Sequence, residues 1–159
     1  MTQTSVFVVK RGRTIQIILN ILVAEDNPGD VLLVQRALKA HNIRHELTVV
    51  QDGAQALEFI ARMGRARELP CPDVVLLDMN LPKVDGPRVL SEFRKHPECS
   101  NTPVIVITSS DAEKDRARVE ELRVARYFRK PSDYREFLRL GAVVREVAEG
   151  SASAPGIES

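Results

Sequence analysis

From residue 21 to residue 148 the chain alternates short, wholly apolar runs with longer stretches whose apolar residues recur at helical spacing. This alternation is the strongest constraint on its fold. A strand that is apolar at every position has no face to show to water, so its sheet must be covered on both sides. Strands separated by helices pair in parallel, and right-handed crossovers leave one economical solution. The expected fold is therefore α/β, a doubly wound five-stranded parallel sheet with helices on both faces.

The five runs are Ile21–Ala24, Glu46–Val50, Asp73–Asp78, Val104–Thr108 and Arg126–Arg129. Helical spacing follows the first run up to about Ala40. Asp52 is a candidate N-cap for a helix through Ile60, and Pro87 to Lys95 reads as a third helix. Ser110-Asp-Ala-Glu113 has capping-box spacing for a helix to about Leu122. Ser132 or Asp133 caps a final helix whose apolar face is Phe137, Leu138, Val143, Val144 and Val147. Met63 to Pro72, with Gly64 and two prolines, is a long connection. Residues 20–148 form the expected domain. Residues 149–159 are small and polar and read as a disordered tail. In the extension 1–19, Val6–Val9 and Thr14–Leu19 suit a hairpin around Arg11-Gly12 or a flexible lead.

A net charge of +1, from 23 basic and 22 acidic residues, gives no reason to expect nucleic acid or an anionic membrane as a partner. No apolar run is long enough to span a bilayer. Two cysteines, Cys71 and Cys99, cannot build a disulfide framework, and neither sits in a CxxC pair, so a reducing compartment and a cytoplasmic location are expected. His41 and His45 lack a third ligand and read as surface histidines rather than a zinc site. Neither GxGxxG nor GxxxxGK[ST] occurs, which argues against dinucleotide and P-loop nucleotide binding.

Open parallel sheets gather ligands at the carboxyl ends of their strands. There this sequence places Glu25 and Asp26 after the first strand, Asp78 at the end of the third, Thr108 at the end of the fourth and Lys130 after the fifth. Each alone has an ordinary reading as a helix cap, a β-former or a surface charge. Together they need another explanation, because packed carboxylates repel one another and raise their own pKa values. A hard divalent cation offsets that repulsion, and Mg2+ suits a site of few carboxylates, retained waters and a phosphate oxygen.

Val23-Ala-Glu25-Asp26-Asn27, Leu77-Asp78-Met-Asn80-Leu-Pro82-Lys-Val-Asp85-Gly86, Ile107-Thr108-Ser-Ser110 and Tyr127-Phe-Arg-Lys130-Pro131 resemble the receiver domains of two-component response regulators. The resemblance covers roughly residues 20 to 148 and implies a flavodoxin-like sheet of strand order 2-1-3-4-5. It implies that Asp78 accepts a phosphoryl group from a sensor histidine kinase. Mg2+ would be held by Asp26, Asp78 and the backbone carbonyl of Asn80, with Glu25 acting through water. Lys130 and Thr108 would bind phosphoryl oxygens, and Thr108 with Tyr127 would form the switch. Asn80 and Ser110 stand where the family tunes the lifetime of the phosphoryl group. The Lys130–Pro131 bond is expected to be cis, aiming the ammonium inward.

The 63–72 connection and the Leu77–Gly86 wording are similar to single-domain regulators of phytochrome-like sensor kinases, a resemblance compatible with a homodimer. Such a chain is not an enzyme beyond its own phosphorylation and dephosphorylation. With about ten residues after the last helix, output through a partner surface is expected. Two departures fall on that surface: Arg123-Val124 replaces the Gly-Ala that normally closes the fourth helix, and Arg129 replaces an apolar residue. The rival readings are a Mg2+-dependent phosphatase of the haloacid dehalogenase type and a pseudo-receiver that only binds partners. The phosphatase needs an acid two residues after its nucleophile, where this chain has Asn80. Against the pseudo-receiver stand Asp26, Asp78, Thr108 and Lys130 together.

Overall fold

The computed structural model describes residues 7–10, 13–64, 68–109 and 112–150. In chain order, β1 is Phe7–Lys10, β2 Arg13–Gln16, β3 Leu19–Ala24, α1 Pro28–Ala40 and β4 His45–Val50. Then come α2 Gly53–Arg62, β5 Val74–Asp78, α3 Gly86–Arg94, β6 Val104–Thr108 and α4 Ala112–Val119. A short 3-10 turn, Glu120–Leu122, precedes β7 Arg126–Arg129, α5 Tyr134–Phe137 and α6 Leu140–Gly150. The five central strands form one parallel sheet ordered β4-β3-β5-β6-β7, which is 2-1-3-4-5 when only they are numbered. β1 and β2 pair antiparallel as a separate two-stranded sheet, Phe7 opposite Gln16. Residues 11–12, where the sequence places the hairpin turn, the first half of the expected capping box at 110–111 and the residues from 151 lie outside the described residues.

Period-two alternation along the strands sorts their side chains into two cores. Ile21, Val23, Leu76, Ile105 and Ile107 face Val34, Leu38, Phe137, Leu140 and Val144 on the α1/α6 side. Leu22, Ala24, Val75, Leu77, Val104 and Val106 face Ala56, Phe59, Ile60, Val89, Leu90 and Phe93 on the α2/α3 side. All residues of β5 and β6 are buried, as their uninterrupted apolar runs require. The expected last helix is divided in two, α5 and α6, with Asp133 as the cap: its carboxylate accepts from the N–H groups of Arg135 and Glu136.

Side chains cap the starts of α1 and α2, and of these two caps the sequence nominates Asp52. Asn27 accepts from Gly29 N at 2.8 Å to open α1, and Asp52 accepts from Gln55 N at 2.7 Å to open α2. The bond from Gln55, with Lys83 Nζ 3.3 Å away, holds the Asp52 carboxyl below its usual range. A lowered carboxylate stabilises the fold above its ordinary value of 3.8, and that contribution is lost as pH falls through the lowered value. Asp52→Asn still caps the helix but does not titrate. Its melting temperature should fall less steeply below about pH 4 than that of the wild type; identical acid slopes would contradict this account of the cap.

Two expectations change. Cys71 and Cys99 are joined in a disulfide with a Cα–Cα distance of 5.5 Å. Their 28-residue separation hides a proximity that the fold creates, by bringing Met63, Cys71 and Pro72 against His96, Cys99 and Thr102 between α3 and β6. The inference of a reducing compartment from unpaired cysteines therefore loses its ground. Second, Arg123 supplies the left-handed turn that a glycine would normally give, at φ 56°. Arg94 secures it: Nε donates to Leu122 O and Nη2 to Arg123 O, both at 2.8 Å, while Nη1 donates to Ser100 O and Thr102 O. One partly buried guanidinium thus satisfies carbonyls that a helix end leaves unpaired. Burial, and then the neighbouring Arg123, lower its pKa to about 10. Arg123 itself donates to Asn101 Oδ1 at 3.0 Å.

Candidate functional site

Parallel register decides which strand ends meet. Ala24 pairs with Leu77, Asp78 with Ile107, and Thr108 with Arg129, so the chain leaves β3, β5, β6 and β7 along one rim. The residues that follow are those the sequence nominates. Glu25, Asp26 and Asp78 each bring a carboxylate oxygen within 4.8 Å of the others, with Glu25 and Asp78 buried and Asp26 exposed. Lys130 reaches them from the far side of the sheet: its Nζ lies 2.5 Å from Glu25 Oε1 and 2.9 Å from Asp78 Oδ2. The Lys130 N–H donates to Thr108 O at 2.8 Å, which ties the end of β7 to the fully buried Thr108. No peptide bond among the described residues is cis, so Lys130–Pro131 is trans, contrary to the expectation, and the ammonium reaches the carboxylates all the same.

The surrounding backbone fixes these groups. Glu25 Oε2 accepts from Asn27 N at 3.2 Å, and Asp78 Oδ1 accepts from Asn80 N at 2.8 Å. Gly86 permits the chain after Asp78 to fold back: a Cβ there would lie 2.6 Å from the Asp78 carbonyl oxygen. The side chain of Asn80 is exposed beside the rim. Tyr127, half buried in β7, stacks under the Arg116 guanidinium, 4.7 Å from the ring centre, and burial raises its phenol pKa.

Sequence reasoning missed one member. Asp30 Oδ2, in the first turn of α1, accepts from Lys130 Nζ at 2.7 Å. An acid in the first turn of a helix is what the helix dipole favours, so nothing in the sequence separates it from an ordinary capping acid. Three carboxylates around one ammonium pull the lysine pKa upward despite its burial. They also leave negative charge in excess. Burial, with Asp78 adding to it, raises the Glu25 carboxyl to about 7 even though Lys130 opposes the shift.

An acidic trio of this kind, closely spaced and partly desolvated, fits a hard divalent cation that takes oxygen ligands. His41 and His45 take no part; His45 Nδ1 bonds Ile43 O, 2.8 Å away, beside its own strand.

Residues 21–140 match the response regulator receiver domain. The chain belongs to that family. As a receiver domain of two-component signalling, it has relatives that are in general signalling proteins rather than enzymes. It is 38% identical over 120 residues to the response regulator Rcp1 of Synechocystis, a span covering 76% of this chain and 82% of Rcp1. The phosphorylated cyanobacterial phytochrome response regulator RcpA superposes with a TM-score of 0.76 at 31% identity, over 88% of this chain and all of RcpA. The Mn2+-bound form of Rcp1 gives a TM-score of 0.71 at 33% identity, over 89% of this chain and 99% of that one. The receiver domain has the flavodoxin-like fold and the strand order expected from the sequence. No helix among the described residues is long and apolar enough to cross a membrane.

Proposed function

We propose that this receiver takes a phosphoryl group from a sensor histidine kinase onto Asp78, in the presence of Mg2+, and signals by the change of shape that follows. The observation that carries the proposal is the ammonium of Lys130, 2.9 Å from Asp78 Oδ2, on the edge of a three-carboxylate cluster. In the step, an Asp78 carboxylate oxygen forms the new O–P bond while the P–N bond of the donor phosphohistidine breaks. The imidazole nitrogen keeps the bonding pair. Asp26, Asp78 and the backbone carbonyl of Asn80 would hold the ion, and Glu25 would act through water. When bound, Mg2+ spreads the charge that develops on the transferring group.

Lys130 exchanges its Asp78 oxygen for a phosphoryl oxygen, and the Thr108 hydroxyl bonds another. Tyr127 then turns inward behind Thr108, leaving Arg116, which couples the site to the β7 edge. Residues 20–148 form the unit that switches, and a kinase partner of this kind places it in the cytoplasm. The resemblance to RcpA, named as a phytochrome response regulator, supports a phytochrome-type kinase as the source.

A small phosphodonor such as acetyl phosphate tests the chemistry without the kinase. With Mg2+, intact mass should rise by one phosphoryl group, and a chelator should prevent it. A metal-independent rise would point to adventitious acylation or phosphorylation elsewhere and contradict the proposal.

A further inference from the structure

We propose that Asp30 is a positioning residue for Lys130, the anchor that keeps the ammonium aimed at the phosphoryl position throughout the transfer. The inference deepens the function proposed above and rests on it. A lysine ammonium has three N–H groups. Here each has a carboxylate acceptor: Glu25 at 2.5 Å, Asp30 at 2.7 Å and Asp78 at 2.9 Å. Two of these acceptors belong to the trio poised for a cation, and Asp78 must also become the phosphoryl carrier. Asp30 is outside that trio, so it is the one acceptor that neither cation binding nor phosphoryl transfer takes away.

A helix-dipole role does not require this placement. An acid in the first turn satisfies the dipole while pointing into water. The Asp30 carboxylate instead spans to a lysine 100 positions away, and its side chain is only 23% exposed. The opening of α1 is capped independently by Asn27, whose Oδ1 accepts from Gly29 N at 2.8 Å. Without Asp30 the lysine has a free N–H and a long flexible stem, and it samples positions from which it cannot meet the phosphoryl oxygens.

The test compares the full-length wild type with Asp30→Asn and Asp30→Glu. At saturating Mg2+, with acetyl phosphate as donor, the initial rate of phosphoryl incorporation in Asp30→Asn should fall about tenfold, the size expected when a hydrogen bond between two charged groups becomes one to a neutral amide oxygen. Calorimetric Mn2+ affinity should change much less, by no more than about threefold, as a nearby but non-ligating charge would change it. Asp30→Glu, which keeps the charge and the reach, should recover most of the rate. A structural defect in α1 would instead lower rate and affinity together and would not be rescued. The Lys130 ammonium 15N–1H resonance of the labelled, metal-loaded protein gives a readout independent of turnover: it should be sharp in the wild type and broadened in Asp30→Asn. An Asp30→Asn rate within twofold of wild type, or an unchanged resonance, overturns the proposal. A wild type that takes no phosphoryl group defeats the function proposed above, and the resonance alone then decides for or against Asp30.

Discussion

Lys130→Met is expected to lower the stability of the metal-free protein by about 3 kcal/mol, and an excess of Mg2+ is expected to restore most of it. The lysine side chain is 12% exposed, and the Glu25 and Asp78 side chains it bridges are 5% and 7% exposed. Removing the ammonium leaves two buried carboxylates facing each other with no cation between them. A buried partner left unpaired costs far more than an exposed pair contributes. For a domain of this size the loss corresponds to a fall in melting temperature of roughly 10 °C. Thermal unfolding followed by circular dichroism, with chelator and then with Mg2+, measures it. The rescue is the informative part, because a bound divalent ion supplies the missing positive charge to the same oxygens. A variant equally destabilised in both conditions would show that no cation reaches the trio.

Asp78→Asn should reduce phosphoryl incorporation to background while leaving the fold in place. The amide has nearly the shape of the carboxylate, and its oxygen still accepts the Asn80 N–H bond made by Asp78 Oδ1 at 2.8 Å. Lys130 keeps Glu25 and Asp30 as acceptors. What is lost is a nucleophilic oxygen and one negative charge, so the phosphoryl group has nowhere to go and cation affinity drops as well. Intact mass after exposure to acetyl phosphate and Mg2+, alongside the melting temperature, separates loss of chemistry from loss of structure. Residual incorporation at the wild-type level would move the acceptor to another side chain.

How much of this was legible in the sequence depended on the range of the interaction. The five strands read out directly, because a wholly apolar run such as Val74–Leu77 can only be a covered strand. The rim was legible for the same reason: once strand ends are placed, parallel register determines which following residues meet. Long-range neighbours without a pattern were not legible. Asp30 looked like any first-turn acid, and Arg94 like any exposed helix arginine, although it binds four carbonyls across two loops. The Cys71–Cys99 pair needed the packing of two connections that carry no period at all. The departure at Arg123 was visible in the sequence as a missing glycine; the partners that hold its left-handed turn emerged only in the fold.

The central claim is that the carboxylate of Asp78 carries the phosphoryl group. An acyl phosphate is reduced by borohydride to an alcohol, so trapping the phosphorylated protein and sequencing its peptides by tandem mass spectrometry marks the acceptor permanently. The account predicts homoserine at position 78 after acetyl phosphate and Mg2+, and aspartate there when the ion is withheld. Homoserine at another aspartate, with position 78 unchanged, would contradict it.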